Sequence, residues 1–204
     1  DNRIIERNKA RINDDIYVTG NIGDSYLGLK IIQKKVKVNL KLKKYFFNQY
    51  YCPHLPFNFH RSIKKIANTS IDISDGLISD MSKLINKQKL SFEIDINKIP
   101  ISNMLKSYLK KYNKKKDRYL FNGDDYQILF TSTKKNRKLI KNFSRKMNQK
   151  ITIIGEINKR FKKNLLLLDN KPIILDNKPI NIVNFQGYSH KFWKVKYCVL
   201  LIIL

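Results

Sequence analysis

The segment Ile71-Asp-Ile-Ser-Asp-Gly-Leu-Ile-Ser-Asp80 packs three acids and two serines into ten residues. Ser70 to Ile73 predicts a short strand. Leu77, Met81, Leu84 and Ile85 then recur at helical spacing, which predicts a helix from Gly76 to about Lys87. Asp72 and Ser74 alternate out of the strand as it ends at a helix N-terminus, so two carboxylates and a hydroxyl converge above the strand end. Two readings of that convergence stand. Hard cations that bridge phosphates are held by one or two carboxylates plus water, and helix N–H groups favour anions, so magnesium fits. Equally, Asp75 reads as an ordinary helix cap, bonding N–H groups of the first turn.

Outward from this unit the chain alternates helices and strands. Upstream, Asp15 to Thr19 predicts a strand, Gly20 to Asp24 a tight turn, and Ser25 to Gln33 a helix with Tyr26, Leu29 and Ile32 on one face. Lys34 to Phe59, basic and aromatic and closed by Pro53 and Pro56, reads as a long connection with some helix, and Ser62 to Asn68 as a helix. Downstream, Phe92, Ile94 and Ile96 predict a strand, Met104, Leu105, Tyr108 and Leu109 a helix, and Lys110 to Arg118 a charged loop. Tyr126 to Thr131 predicts a strand, Lys134 to Met147 a helix, and Ile151 to Ile157 a strand. The expected fold is mixed α/β: one sheet holding strands near residues 16, 71, 93, 128 and 153, with helices packed on it. Leu168-Asp-Asn-Lys-Pro-Ile173 recurs as Leu175-Asp-Asn-Lys-Pro-Ile180, two turns flanking a short hairpin strand.

The 204 residues suffice for one domain with a proper core. A net charge of +26 invites a nucleic-acid reading, but 34 of the basic residues are Lys and 8 are Arg, and Ala occurs only twice in a chain crowded with Lys, Asn and Ile. Codon bias of an A/T-rich genome accounts for that pattern without any partner. No specific nucleic-acid contact is expected, because base-reading Arg clusters and an aromatic-studded binding motif are lacking. Cys52 and Cys198 lie far apart without metal-ligand spacing, which suits a reducing cytoplasm. The polar start Asp1 to Arg11 is unlike a signal peptide, and the apolar run Cys198 to Leu204 falls short of the roughly 20 residues a membrane span needs.

The 7 glycines cluster where the chain must bend. Asn122-Gly123-Asp124-Asp125-Tyr126 puts two acids in a turn before a strand, suited to holding a substrate or simply to Asx-turn chemistry. Gly20-Asn-Ile-Gly23 lacks the Lys-Ser/Thr of a P-loop and reads as a plain turn. His190, beside Tyr188, Phe192 and Trp193, has no Ser, Cys or ligand partner at telling spacing and reads as a packing histidine.

In combination these segments resemble the thiamine-monophosphate kinase family, of the ATP-dependent superfamily that includes aminoimidazole ribonucleotide synthetase. Asp15-Ile-Tyr-Val-Thr-Gly-Asn-Ile-Gly-Asp-Ser-Tyr-Leu-Gly-Leu29 is similar to the family's D-x-I-x-V-[ST]-G-x-[IL]-G-x-[AS]-x-x-G-L, and Ile71 to Asp80 is almost letter for letter its hallmark. Gly123-Asp-Asp-Tyr-Gln-Ile-Leu-Phe-Thr131 resembles G-G-E-D-Y-E-L-x-F-T, and Gly187-Tyr-Ser-His-Lys-Phe192 the closing G-[FWY]-x-H-F. The resemblance implies the superfamily's C-terminal domain fold, Mg2+ ligation by Asp72 and Asp75, ATP contacts by Arg7 and Ser74, and substrate contacts by Asp124 and Tyr188. It also implies an interdomain linker remnant at 1–12, a C-terminal kinase domain at 13–192 and an extension at 193–204. ATP and thiamine monophosphate are the expected substrates, thiamine diphosphate the product, and a separately encoded N-terminal half an expected partner.

The departures are specific. Asn122 and Asp124 replace Gly and Glu, and the shorter acid withdraws its carboxylate by about 1.5 Å. Lys191 lengthens the closing motif by one residue, Arg7-Asn-Lys-Ala10 lacks the family's small residues, and Pro53 to Phe59 lacks its P-x-P-R arginine. The family's N-terminal domain and its acidic motifs have no counterpart here. The expectation is therefore a piece of a split or decaying gene, inactive alone, whose residues 193–204 reflect a shifted reading frame.

Overall fold

Five consecutive buried residues, Asp15–Thr19, form β1 inside the sheet. The computed structural model describes residues 4–159, 164–169, 171–172, 174–175 and 178–179. In them β2 (Thr69–Asp72), β3 (Leu90–Asp95), β4 (Ile128–Ser132), β5 (Ile151–Lys159), β6 (Leu165–Leu168) and β7 (Lys171–Pro172) join β1 in one seven-stranded sheet, ordered β2-β4-β1-β5-β3-β6-β7. All five strands expected from the sequence lie in it. Every pairing is antiparallel except β3 with β6.

Period-2 alternation sends successive side chains to opposite faces, and β1 needs apolar cover on both. Ile16 and Val18 enter the larger core, whereas Tyr17 enters the smaller one and stacks on Phe130 with centroids 5.0 Å apart. The larger core is closed by α1 (Asp24–Ile32), α2 (Leu40–Tyr51), α4 (Leu77–Leu84), α5 (Asn103–Lys111) and α6 (Asp117–Leu120). The smaller is closed by α3 (His60–Ile66) and α7 (Arg137–Lys146). Leu77, Met81 and Leu84, the expected inward stripe of α4, are fully buried.

Several boundaries differ from the sequence reading. The connection after α1 contains an ordered twelve-residue helix, α2, started by Asn39, whose side chain accepts the Leu42 N–H at 2.9 Å. Its Lys-rich surface masks the periodicity, but Leu42 and Phe46 are buried. The charged loop is shorter than expected: Lys110 and Lys111 form the last turn of α5, where cations complement the helix dipole, and α6 begins at Asp117. β4 starts at Ile128 rather than Tyr126, because Tyr126 has a left-handed φ of 49°. The repeated Leu-Asp-Asn-Lys-Pro makes two equivalent pairings, Leu168 with Lys171 and Leu175 with Lys178, the second in a separate ribbon of β8 (Ile174–Leu175) and β9 (Lys178–Pro179). No helix among the described residues is long and apolar enough to cross a membrane.

Candidate functional site

β2 runs antiparallel to β4, with Asp72 opposite Ile128, so the segment leaving β2 lies beside the segment entering β4. Three backbone bonds prolong the pairing beyond the strands. Ile73 donates to the Gln127 carbonyl at 2.8 Å, Tyr126 to that of Ile73 at 2.9 Å, and Asp124 to that of Ser74 at 3.1 Å. Gly123 permits the closeness, since a Cβ there would stand 2.0 Å from the Ser74 carbonyl oxygen. Topology thus brings Asp72, Ser74 and Asp75 together with Asp124, about fifty residues on in the sequence.

Tyr126 follows Asp124 on the same loop. Its hydroxyl lies 3.4 Å from Asp124 Oδ1. Burial raises the phenol pKa, and the charges of Asp124, Asp72 and Asp75 raise it further. Asp72 is exposed at the end of the edge strand, while Ser74, Asp75 and Asp124 are half-buried. Asp124 and Tyr126 both adopt left-handed φ, 69° and 49°, a conformation that costs a non-glycine residue energy and recurs at functional sites. An open cavity of ≈ 370 Å³ flanks Asp72, lined by Ile4, Ile5, Ile63, Ile71 and Ile128 among others.

The helix-cap reading of Asp75 is not realised. Gly76 is the N-cap of α4, with φ 120° and ψ 147°, a conformation open essentially to glycine, and no side chain caps there. Asp80 does the work instead from inside the helix. Its buried Oδ2 accepts the N–H groups of Ser74, Asp75 and Gly76 at 3.0, 2.9 and 3.1 Å. Asp75 is left to pair with Lys83, which also donates to Asp80 Oδ1 at 3.1 Å. Burial lowers the Lys83 pKa, but its hydrogen bonds to Asp75 and Asp80 and their charges outweigh that and raise it.

Asp125, read from the sequence as one of two acids in a turn, and Gln127, which that reading left without a role, hold the turns together. Asp125, fully buried, accepts the Gly23 N–H at 2.9 Å and so fastens the Gly20–Gly23 turn to the Asp124 turn. Its pKa is raised well above the ordinary value by burial, against the hydrogen bonds from Gly23 and Ser25. Gln127 accepts the Thr19 hydroxyl at 2.9 Å and donates to the His54 carbonyl at 2.8 Å. Such contacts span 73 to 108 residues of sequence and carry no local signature.

Arg7 is exposed, on a segment whose Ile4 and Ile5 line the cavity beside Asp72. Its neighbours are anchored through the Glu6 carbonyl, which accepts the Thr69 hydroxyl at 2.6 Å, and the Asn8 N–H, which donates to the Leu84 carbonyl at 2.8 Å. Tyr188 and His190 lie outside the described residues, as does the segment 193–204.

The donor chemistry at Asp72 and Asp75 suits magnesium, which takes hard carboxylate oxygens, one or two at a time, together with water and phosphate. Among the described residues no three acidic, His or Cys side chains form a complete metal cage. The two carboxylates fit an ion whose remaining ligands come from substrate phosphates or another domain.

No family model matches the chain. Its fold is nonetheless shared with solved proteins: Escherichia coli HypE superposes with a TM-score of 0.64 at 11% identity, over 89% of this chain and 56% of that one. An antiparallel-rich sheet with helices on both faces, and an Asp-x-Ser-Asp-Gly turn at the end of its edge strand, define a C-terminal domain of the aminoimidazole ribonucleotide synthetase-like fold. Within that class the sequence is more particular. The thiamine-monophosphate kinase of Buchnera aphidicola subsp. Schizaphis graminum is 37% identical over 180 residues, 86% of this chain and 54% of that protein. The Aquifex aeolicus enzyme, solved with AMPPCP and TMP, superposes with a TM-score of 0.69 at 30% identity, over 87% of this chain and 53% of that one. The chain corresponds to the C-terminal portion of the thiamine-monophosphate kinases, and spans about half the length of the curated relatives it matches.

Proposed function

We propose that this chain supplies the C-terminal half of an ATP-dependent kinase that phosphorylates thiamine monophosphate to thiamine diphosphate. Residues 13–192 serve as the kinase domain, and an N-terminal half supplies the rest of the site. The observation that carries the reading is the antiparallel pairing that runs on past β2 and β4, where the Asp124 N–H donates to the Ser74 carbonyl at 3.1 Å and so sets Asp124 beside the loop of Asp72, Ser74 and Asp75. The Aquifex aeolicus complex supports the substrate pair, since AMPPCP is a nucleotide analogue.

In this reading Asp72 and Asp75 hold Mg2+, and Ser74 and Arg7 contact ATP. When bound, the ion supplies charge neutralisation of the triphosphate. Asp124 and Tyr188 orient thiamine monophosphate. Phosphoryl transfer is mostly positioning and electrostatics, so the rigid loop held by Asp80 is itself part of the chemistry: it keeps Ser74 and Asp75 in place without reorganisation. Half of such a site loses most of the rate. ATP as co-substrate, together with the exposed free thiol of Cys52, favours a cytoplasmic setting.

The test is reconstitution with an N-terminal half. Turnover of thiamine monophosphate should appear only in the mixture, and Asp72→Asn, which removes charge but keeps shape, should abolish it with the fold intact. Unchanged turnover in that variant would overturn the reading.

A further inference from the structure

We propose that Lys83 is a built-in counter-ion which a divalent cation must displace from Asp75, so that this lysine sets the metal affinity of the site. The inference rests on the kinase reading of Asp72 and Asp75.

The ammonium of Lys83 is shared unequally. Asp80 is 1% exposed, and its Oδ2 is already spent on three backbone N–H groups, leaving Oδ1 for Lys83. That arm of the bridge is fixed: withdrawing the lysine from Asp80 would strand a buried charge, which is costly. The other arm is different. Asp75 is 31% exposed, next to Ser74, whose carbonyl accepts the Asp124 N–H at 3.1 Å. Its carboxylate turns from Lys83 to an incoming cation without leaving any buried group unpaired, because Lys83 stays with Asp80. α4 fixes the geometry, since Asp80 and Lys83 are i,i+3 neighbours on one helical face.

A lysine in this place does one of two opposite things. As a competitor it occupies a ligand oxygen and repels a dication nearby. As an organiser it would hold Asp75 in the ligating pose and strengthen binding. The half-buried, singly shared Asp75 arm favours competition, and the sign of the change on neutralising Lys83 separates the two.

The experiment titrates the full 204-residue chain with Mn2+, following free ion by electron paramagnetic resonance. Lys83→Gln keeps a donor for Asp80 but loses the charge, and Lys83→Met, which keeps the aliphatic stem, is the second neutral variant. Both should bind Mn2+ about tenfold more tightly, as expected for removing a unit charge a few ångströms from a dication in a largely aqueous setting. Lys83→Arg should stay close to the parent, and Asp72→Asn added to Lys83→Gln should remove the gain. Equal or weaker binding in both neutral variants overturns the inference and leaves the kinase reading of the acids standing. Binding that ignores Asp72→Asn, or no binding in any variant, overturns the metal reading and the inference with it.

Discussion

The carboxylate of Asp125 accepts the backbone N–H of Gly23 at 2.9 Å, across 102 positions of sequence. The bond joins the turn after β1 to the turn before β4, on the same loop that carries Asp124. Next to it in sequence, Asp24 is also buried, receiving hydroxyls from Ser102 at 2.7 Å and Tyr45 at 2.9 Å. Two acids are thus sunk into one end of the sheet to brace the loops of the candidate site.

Burial holds the Asp24 carboxyl at about 6 rather than 3.8, with the Ser102 and Tyr45 hydrogen bonds and the Lys150 charge opposing. A carboxyl raised in the folded state contributes stability that is fully present below its unfolded pKa and lost as pH climbs through the folded one. Between pH 4 and 6 this group should therefore remove about 3 kcal/mol of folding stability, with no further loss above. Urea unfolding at intervals across that window should show stability falling with pH, a fall that Asp24→Asn makes shallower, the remainder coming from Asp125, which burial also raises.

Asp80 and Asp72 sit eight residues apart in one motif yet should behave oppositely. Asp80→Ala strands three loop N–H groups and leaves Lys83 with Asp75 alone, and should cost about 3 kcal/mol. Asp72→Asn, at an exposed strand end, should stay within about 0.5 kcal/mol. Denaturant midpoints of the two variants decide the matter, and equal midpoints would contradict the assignment of Asp80 as the loop's anchor.

Leu84 closes the inward stripe of α4 and is fully buried. Truncation to Ala should cost about 2–5 kcal/mol, lowering the unfolding midpoint without altering the denaturant slope. A loss below 1 kcal/mol would mean that the larger core tolerates repacking at this helix.

Asp124 combines a shorter side chain than its family counterpart with a left-handed backbone, φ 69°. Short acids accept that conformation more readily than Glu. In the reconstituted enzyme, Asp124→Ala should raise KM for thiamine monophosphate about 10- to 100-fold, the loss of one charged hydrogen bond, with a smaller effect on kcat. Asp124→Glu should keep substrate affinity near the parent value and lose about 1 kcal/mol of stability. Steady-state kinetics on both variants test this.

The strands and the acids were legible because each carries a local mark. Alternation exposes β3, and a glycine between a strand and an apolar helical stripe exposes the Asp72 loop. What stayed hidden is held by distant contacts. α2 earns its helix by packing on α1 through Leu42 and Phe46, beneath lysines that blur its pattern. The capping rule points to Asp75, the acid just before the helix, whereas the loop closes on Asp80, one turn inside. Lys83 is one of 34 lysines, and only the three-dimensional pairing with two acids distinguishes it.

β1 also governs when the chain can fold during synthesis. Its partners are β4 and β5, so Asp15 waits for Ser132 on one side and Glu156 on the other. A ribosome adding about 5–20 residues per second leaves β1 unpaired for of the order of ten seconds, with both of its apolar faces bare. Any helper that shelters the nascent chain should engage it in that interval, and release it only once β5 has cleared the exit tunnel.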